Sequence, residues 1–238
     1  MASVLDVRDL GVAFRERWVL RGWSLSLERG ERVALIGPSG CGKTTFLRVL
    51  AGLVPHSEGS VLMSVSQLGY VFQEPRLVPW LDVRRNLSLV SERDPGEVLS
   101  RLGLSGAERL RPRAMSGGMR QRLNLARALL TEPDLLLLDE AFSALDVDLK
   151  LGIFEDLDAL WRDRRFASVA VTHNPRDALL IADRLLLLGG EPTRILREVL
   201  APPLSRRSYF SPEVVEAEAE VLRFLASSSR RGFGGLSN

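Results

Sequence analysis

The chain is poor in several things at once. It has one cysteine, two histidines, two lysines among 32 basic residues, and aromatics at 6% of its 238 positions. A single cysteine, Cys41, excludes an internal disulfide and points to an intracellular home. No apolar run approaches the roughly 18 residues that a membrane span requires. The longest, such as Leu135–Leu138 and Leu185–Leu188, are strand-sized. The opening MASVLDVRDLG has no basic segment followed by an apolar one, so no secretory signal is expected. Sustained heptads are missing as well, which excludes a coiled-coil architecture, and the chain has no internal repeat. Few groups titrate near neutrality, so a net charge of +2 and a pI of about 9.1 describe one flat titration curve, not a basic patch. The dispersed arginines read as a solvated surface and no nucleic-acid partner is expected. They also make a lysine at a motif position informative.

What is present suits a folded domain: 45% hydrophobic and 26% charged residues. Val4–Leu10, Val19–Leu27 and Arg32–Ile36 read as strands, the last running into GPSGCGKTT. Thr44–Leu53 has helical spacing. Leu68–Phe72 is a short strand before the Pro-punctuated EPRLVPW, and 82–114 is polar, Arg-rich and helical with breaks at Pro95 and Pro112. A helix is expected from Ser116 to Leu130, a strand at Leu135–Leu138, a helix at Val147–Trp161 and a strand at Ser168–Val171. Pro175 opens a helix to Ala182 at its favoured first-turn position, and Arg184–Leu188 is another strand. This alternation predicts an α/β fold with a mainly parallel sheet covered by helices. A last helix over 212–226 precedes SSSRRGFGGLSN, expected to be a flexible tail over 227–238.

Three motifs carry chemistry. Gly37, Pro38, Ser39, Gly40, Cys41, Gly42, Lys43 and Thr44 fill G-x-x-x-x-G-K-[ST], with a strand before and a helix after; together with Thr45 they are the expected nucleotide-binding residues. Such a loop turns backbone N–H groups and a helix N-terminus toward phosphate. Lys43 would reach the β- and γ-phosphates, and the Thr44 hydroxyl would coordinate Mg²⁺. Leu135–Leu138 delivers Asp139 and Glu140 to a strand's C-terminal end, where ligands bind in doubly wound sheets. Asp139 would hold Mg²⁺ and Glu140 would orient the attacking water. Ser116, Gly117 and Gly118 open another glycine-bearing helix. From spacing alone this is either a second anion site or an N-cap serine with flexible glycines.

The loop at 37–44, SGGMRQR at 116–122, LLLLDE at 135–140, SALD at 143–146 and His173 stand in the order and approximate spacing of the ABC-type ATPases. The resemblance covers about residues 4–190. It implies a P-loop NTPase with a small N-terminal antiparallel β region and a helical subdomain over about 75–132, forming one domain over 1–226. It implies ATP and Mg²⁺ as cofactors. It also matches Phe14 to the aromatic that stacks on adenine, with core packing, and Trp18 as the stacking residue, as competing readings. Gln73 matches the residue linking Mg²⁺ to the docking surface, Asp146 the D-loop aspartate and His173 the switch histidine. Ser116, Gly117 and Gly118 would contact the γ-phosphate of an opposite subunit in an ATP-bound homodimer. Met115, Ala141 and Asn174 depart from the family pattern, and a shortened 59–73 puts the antiparallel β region in doubt.

VFQEPRLVPWLDVRRNL closely resembles the loop of importers in the nitrate, sulfonate, taurine and thiamine-precursor group. In a loop, the apolar run Leu77, Val78, Pro79 and Trp80 calls for a partner or packs on its own subdomain. The resemblance thus implies an ATP-hydrolysing peripheral subunit on the cytoplasmic face of the inner membrane. Two transmembrane permeases would dock near Leu77–Trp80, and a solute-binding protein would act indirectly. A soluble ABC ATPase with a non-transport partner, such as a cluster-assembly scaffold, is the alternative; a P-loop kinase, which has no use for SGGMRQR, ranks third.

Overall fold

A computed structural model describes residues 3–143 and 145–232, with the backbone alone over 228–232. Contacts divide the chain into two units, one from its two ends (up to Ser64 and from Ala167) and one from Val65 to Phe166.

The first unit holds two kinds of strand. β1 (Ser3–Phe14), β2 (Arg17–Glu28) and β4 (Glu58–Met63) form an antiparallel sheet in the order β2-β1-β4. Burial partly alternates along β1 and β2, the mark of a sheet with one solvated face. β3 (Arg32–Ile36), β7 (Ala167–Val171) and β8 (Arg184–Gly189) are buried almost throughout and pair in parallel, β3 lying between the other two. β9 (Arg194–Leu200) adds an antiparallel edge beside β8. Helices α1 (Lys43–Leu50), α6 (Pro175–Ile181) and α7 (Pro212–Gly232) complete this unit. Trp23 of β2 is fully buried, donates its indole N–H to the Thr193 carbonyl at 2.8 Å, and meets Phe46 of α1 at a ring separation of 5.0 Å. That contact fixes the helix that follows the glycine-rich loop.

The second unit pairs β5 (Leu68–Val71) with β6 (Leu135–Asp139) in parallel. Four helices accompany them: α2 (Val83–Ser88), α3 (Gly96–Arg101), α4 (Gly117–Leu130) and α5 (Val147–Arg164). No helix among the described residues is long and apolar enough to cross a membrane.

Three expectations change. The antiparallel region doubted from the shortened 59–73 has its third strand, because β4 pairs with β1 from Leu5–Met63 to Gly11–Glu58. β9 was not foreseen, since RILREVL follows a Gly-Pro-rich turn and shows no clear alternation. The tail expected from 227 is helical as far as Gly232, because Ser and Arg weaken a helix only slightly and no breaker precedes that glycine. Residues 233–238 of that expected tail lie outside the described residues.

One ion-pair cluster ties the first unit together. Arg32, 4% exposed, donates to both carboxylate oxygens of Asp183 at 3.0 and 2.7 Å, and Arg207 donates to Oδ1 at 3.2 Å. Burial alone would push the Asp183 carboxyl up. The two guanidiniums outweigh it and hold the group below the usual carboxylate range. Its folded-state pKa is therefore depressed, so the cluster stabilises fully above the ordinary carboxylate pKa and is lost as pH falls through the lowered value. Asp183→Asn should leave Arg32 buried against a neutral partner and cost about 2 kcal/mol at pH 7, moderated by the partial exposure of Asp183. Urea unfolding should show that deficit in full at pH 7 and a shrinking one as pH falls below the ordinary carboxylate range. An equal deficit throughout would contradict the account.

Candidate active site

In the first unit the loop between β3 and α1 is built around two close approaches. A Cβ on Gly37 would lie 2.8 Å from Leu188 Cβ, and one on Gly42 would lie 2.7 Å from Val19 Cγ1. Gly42 also has φ of +96°, left-handed backbone that a side chain rarely adopts. Only glycine fits there, and this places the start of α1 at the loop. Lys43 is buried, and its ammonium donates to the carbonyls of Gly37 and Pro38, both at 2.8 Å, with Cys41 Sγ at 3.8 Å. Its partners are neutral groups, so the loop holds an uncompensated positive charge at a helix N-terminus. Pro38, Ser39 and Gly40 are exposed, while Cys41, Thr44 and Thr45 are half-buried. Burial pushes the Cys41 thiol up, and the Lys43 charge only partly offsets it. The cysteine is thus a neutral thiol at physiological pH.

Phe14 ends β1 with 51% of its surface exposed, which argues against plain core packing. Trp18, the competing aromatic, has its ring within 2.8 Å of where a Cβ on Gly11 would sit, and the Arg21 guanidinium lies 4.5 Å over it. His173 is exposed just past β7. Asn174 accepts from the backbone N–H groups of Arg176 and Asp177 at 2.9 and 3.3 Å. It caps α6 as an aspartate would, which explains why that departure from the family pattern is tolerated.

In the second unit β6 delivers Asp139, buried, and then Glu140, half-buried at φ of +47°. The Asp139 carboxylate accepts the Tyr70 hydroxyl at 3.2 Å. Gln73 donates through Nε2 to Glu140 at 3.4 Å, so these two residues are brought together. The Ser143 hydroxyl donates to the Glu140 carbonyl at 2.9 Å and holds the turn. Ser116 is the N-cap of α4, its hydroxyl accepting from Met119 N–H at 3.2 Å. Ser116 and Gly117 are exposed. A Cβ on Gly118 would lie 3.5 Å from Leu145 and 3.6 Å from Leu149, so the start of α4 lies against the start of α5, which Asp146 caps through Leu149 N–H at 3.0 Å. Gly118 therefore neighbours Leu145 and the Asp146-capped start of α5.

Residues that sequence reasoning missed hold the loop after β5. Asn124 of α4 donates to the Phe72 carbonyl at 2.7 Å, and Arg127 donates to the Arg76 carbonyl at 2.5 Å. The same helix that begins at Ser116 thus grips both sides of Gln73. Farther on, fully buried Asn86 accepts from Val78 N–H at 2.8 Å and donates to the Leu81 and Asp82 carbonyls at 3.1 and 3.0 Å. Trp80, between those anchors, is 71% exposed. The available signal was Asn86 itself, a polar residue on the helix face that Val83 and Leu87 bury.

Comparison with known proteins places this arrangement. The model of a family described as ABC transporter matches residues 20–143. The aliphatic sulfonates import ATP-binding protein SsuB 2 of Burkholderia cenocepacia (strain HI2424) is 41% identical over 232 residues, covering 92% of this chain and 86% of its own. SsuB 1 of Pseudomonas syringae pv. syringae (strain B728a) is 39% identical over 228 residues, covering 92% and 95%. SsuB of Bacillus licheniformis is 37% identical over 219 residues, covering 86% of each. Among solved structures, the dimeric bacterial ABC transporter cassette MJ0796 is 25% identical with a TM-score of 0.73, over 84% of this chain and 99% of that one. The same cassette bound to ADP and Pi gives a TM-score of 0.74 at 24% identity, over 84% and 99%.

Proposed function

The chain belongs to the ABC transporter family of ATPases, and from that premise we propose that it is the ATP-hydrolysing, membrane-peripheral subunit of a bacterial importer. The observation that carries the chemistry is Lys43, a buried ammonium held by loop carbonyls, with no carboxylate among its partners. A buried charge of one sign at a helix N-terminus is matched to a polyanion. Loop N–H groups over 39–42 would wrap the β-phosphate, and Phe14 would stack on the adenine.

The donors also suit Mg²⁺. The Thr44 hydroxyl and Asp139 carboxylate are hard oxygen donors. No group of three or more His, Cys, Asp or Glu side chains that could cage a metal occurs among the described residues. Hard oxygen donors of this kind suit Mg²⁺, which usually keeps several waters and shares substrate phosphate oxygens. Thr44, Asp139 and Gln73 would hold it, and when bound it neutralises charge on the phosphates. Glu140 would accept hydrogen bonds from the attacking water and align it, with the neighbouring Gln73 amide steering the carboxylate. His173 would donate to the γ-phosphate as charge develops.

Ser116, Gly117 and Gly118 would complete the site of a second copy, with Asp146 beside them. The family's dimeric structures support this reading, as does the exposure of the α4 N-terminus. Import is supported by the names of the relatives, all ATP-binding subunits for aliphatic sulfonate import. The cargo proposed is in that chemical group. Two membrane permeases would dock on Leu77–Trp80, at the cytoplasmic face of the inner membrane, fed by a solute-binding protein.

Glu140→Gln should bind ATP as the unaltered protein does and lose at least about 100-fold in turnover, the ordinary contribution of a general base. Phosphate release and nucleotide titration would read the two separately. Turnover near the unaltered value would remove Glu140 from the mechanism.

Trp80→Ala tests the docking surface. It should leave ATPase activity of the isolated subunit within about twofold and sharply reduce co-purification with co-expressed permeases, as loss of an aromatic anchor does. An unfolded variant would make Trp80 a core residue and sink the proposal; unchanged co-purification would sink it too.

A further inference from the structure

Helix α7 sits on its unit by one narrow stripe. Val214 and Val221, seven residues apart, are its only fully buried side chains among the described residues. The charges near that seat are paired within the chain: Glu218 with Arg176, Glu220 with Arg197, and Glu213 with Arg206. Arg176 also lies 4.9 Å over the Tyr209 ring.

A second apolar stripe faces away. Val215, Ala219, Leu222 and Ala226 recur at spacings of four, three and four residues, the period of a helix–helix seam. All four are exposed, Val215 at 43% and Leu222 at 49%. Glu216 and Arg223 border it on one side, both exposed. Unlike the other charges on α7 described here, neither has an ion-pair partner among the described residues; the Arg223 guanidinium donates only to the Ala219 carbonyl, at 3.1 Å.

This border is self-complementary. In a two-fold antiparallel pairing of α7 with itself, Ala219 of one copy lies beside Leu222 of the other and Val215 beside Ala226. The same register sets Glu216 of each copy against Arg223 of the other, giving two reciprocal ion pairs. A two-fold interface requires a patch that matches itself, and this pattern of one free acid and one free base seven residues apart meets the requirement. We propose that the exposed face of α7 is a docking surface for α7 of a second copy of this chain, used without nucleotide. Four small or medium apolar side chains bury far less than the roughly 800 Å² per partner of a stable dimer. The contact is therefore a weak tether between copies, separate from the ATP-dependent contact through Ser116–Gly118.

Register-specific crosslinking tests it in the full-length chain carrying Cys41→Ser, without nucleotide. A mixture of Ala219→Cys and Leu222→Cys proteins should form disulfide dimers about tenfold faster than either protein alone. Glu216→Arg in both proteins should bring the mixture down to the single-protein rate, and adding Arg223→Glu should restore it. Equal rates in mixture and single proteins would overturn the proposal. So would indifference to Glu216→Arg, or crosslinking of these cysteines to co-expressed permeases in place of a second copy. All these surface substitutions leave the seat of α7 intact. Because ATP is absent throughout, failure here leaves the ATP-closed dimer untouched, and failure of that dimer leaves this tether standing.

Discussion

The buried ammonium of Lys43 is the charge around which the first unit is organised. It reaches its position because α1 begins one residue after a left-handed Gly42, and Gly42 is forced by Val19 packing 2.7 Å from where a side chain would start. Gly37 is pressed in the same way by Leu188. Trp23 and Phe46 then fix the helix behind the loop. The antiparallel sheet therefore helps to shape the loop proposed to hold phosphate, since β2 supplies both Val19 and Trp23. A cation so placed loses hydration and gains only neutral partners, a cost that a bound polyphosphate would offset.

The second unit is organised by a helix. α4 opens with the serine cap and exposed Gly117 of the SGG segment, and two to three turns later the same helix holds the carbonyls of Phe72 and Arg76. Gln73 lies between those anchors and reaches Glu140. A shift of α4 would thus be felt in the backbone on both sides of Gln73; Asn86 separately anchors the backbone around Trp80. These contacts lie within one compact unit, and under the proposed function they would give docking a physical route to Glu140.

Much of this was legible in the sequence where backbone demands are severe. The loop at 37–44 and the buried runs β3, β6, β7 and β8 are local patterns whose composition leaves few alternatives. Ser116 offered two readings, cap or anion site. It is a cap through its side chain, and it sits exposed at a helix N-terminus as the other reading requires. β4 and β9 were not legible, because strands of low hydrophobicity acquire their identity from the neighbours they pair with, β1 and β8. Asn86 and Asn124 were missed for a related reason: a buried amide has no pattern of its own until the carbonyls it satisfies are known.

The central claim is that Lys43 and Ser116 serve one nucleotide from different copies of the chain. Lys43→Ala damages a copy's own loop, and Ser116→Arg damages what it lends to its partner. Intersubunit crosslinking across the Ser116 face under ATP measures closure directly. Each variant alone should fail to close. Their mixture should recover crosslinking, because the mixed dimer holds one site with both lesions and one with neither. A mixture as inactive as its components would mean that both residues act within a single chain, and the head-to-tail dimer would be wrong for this protein.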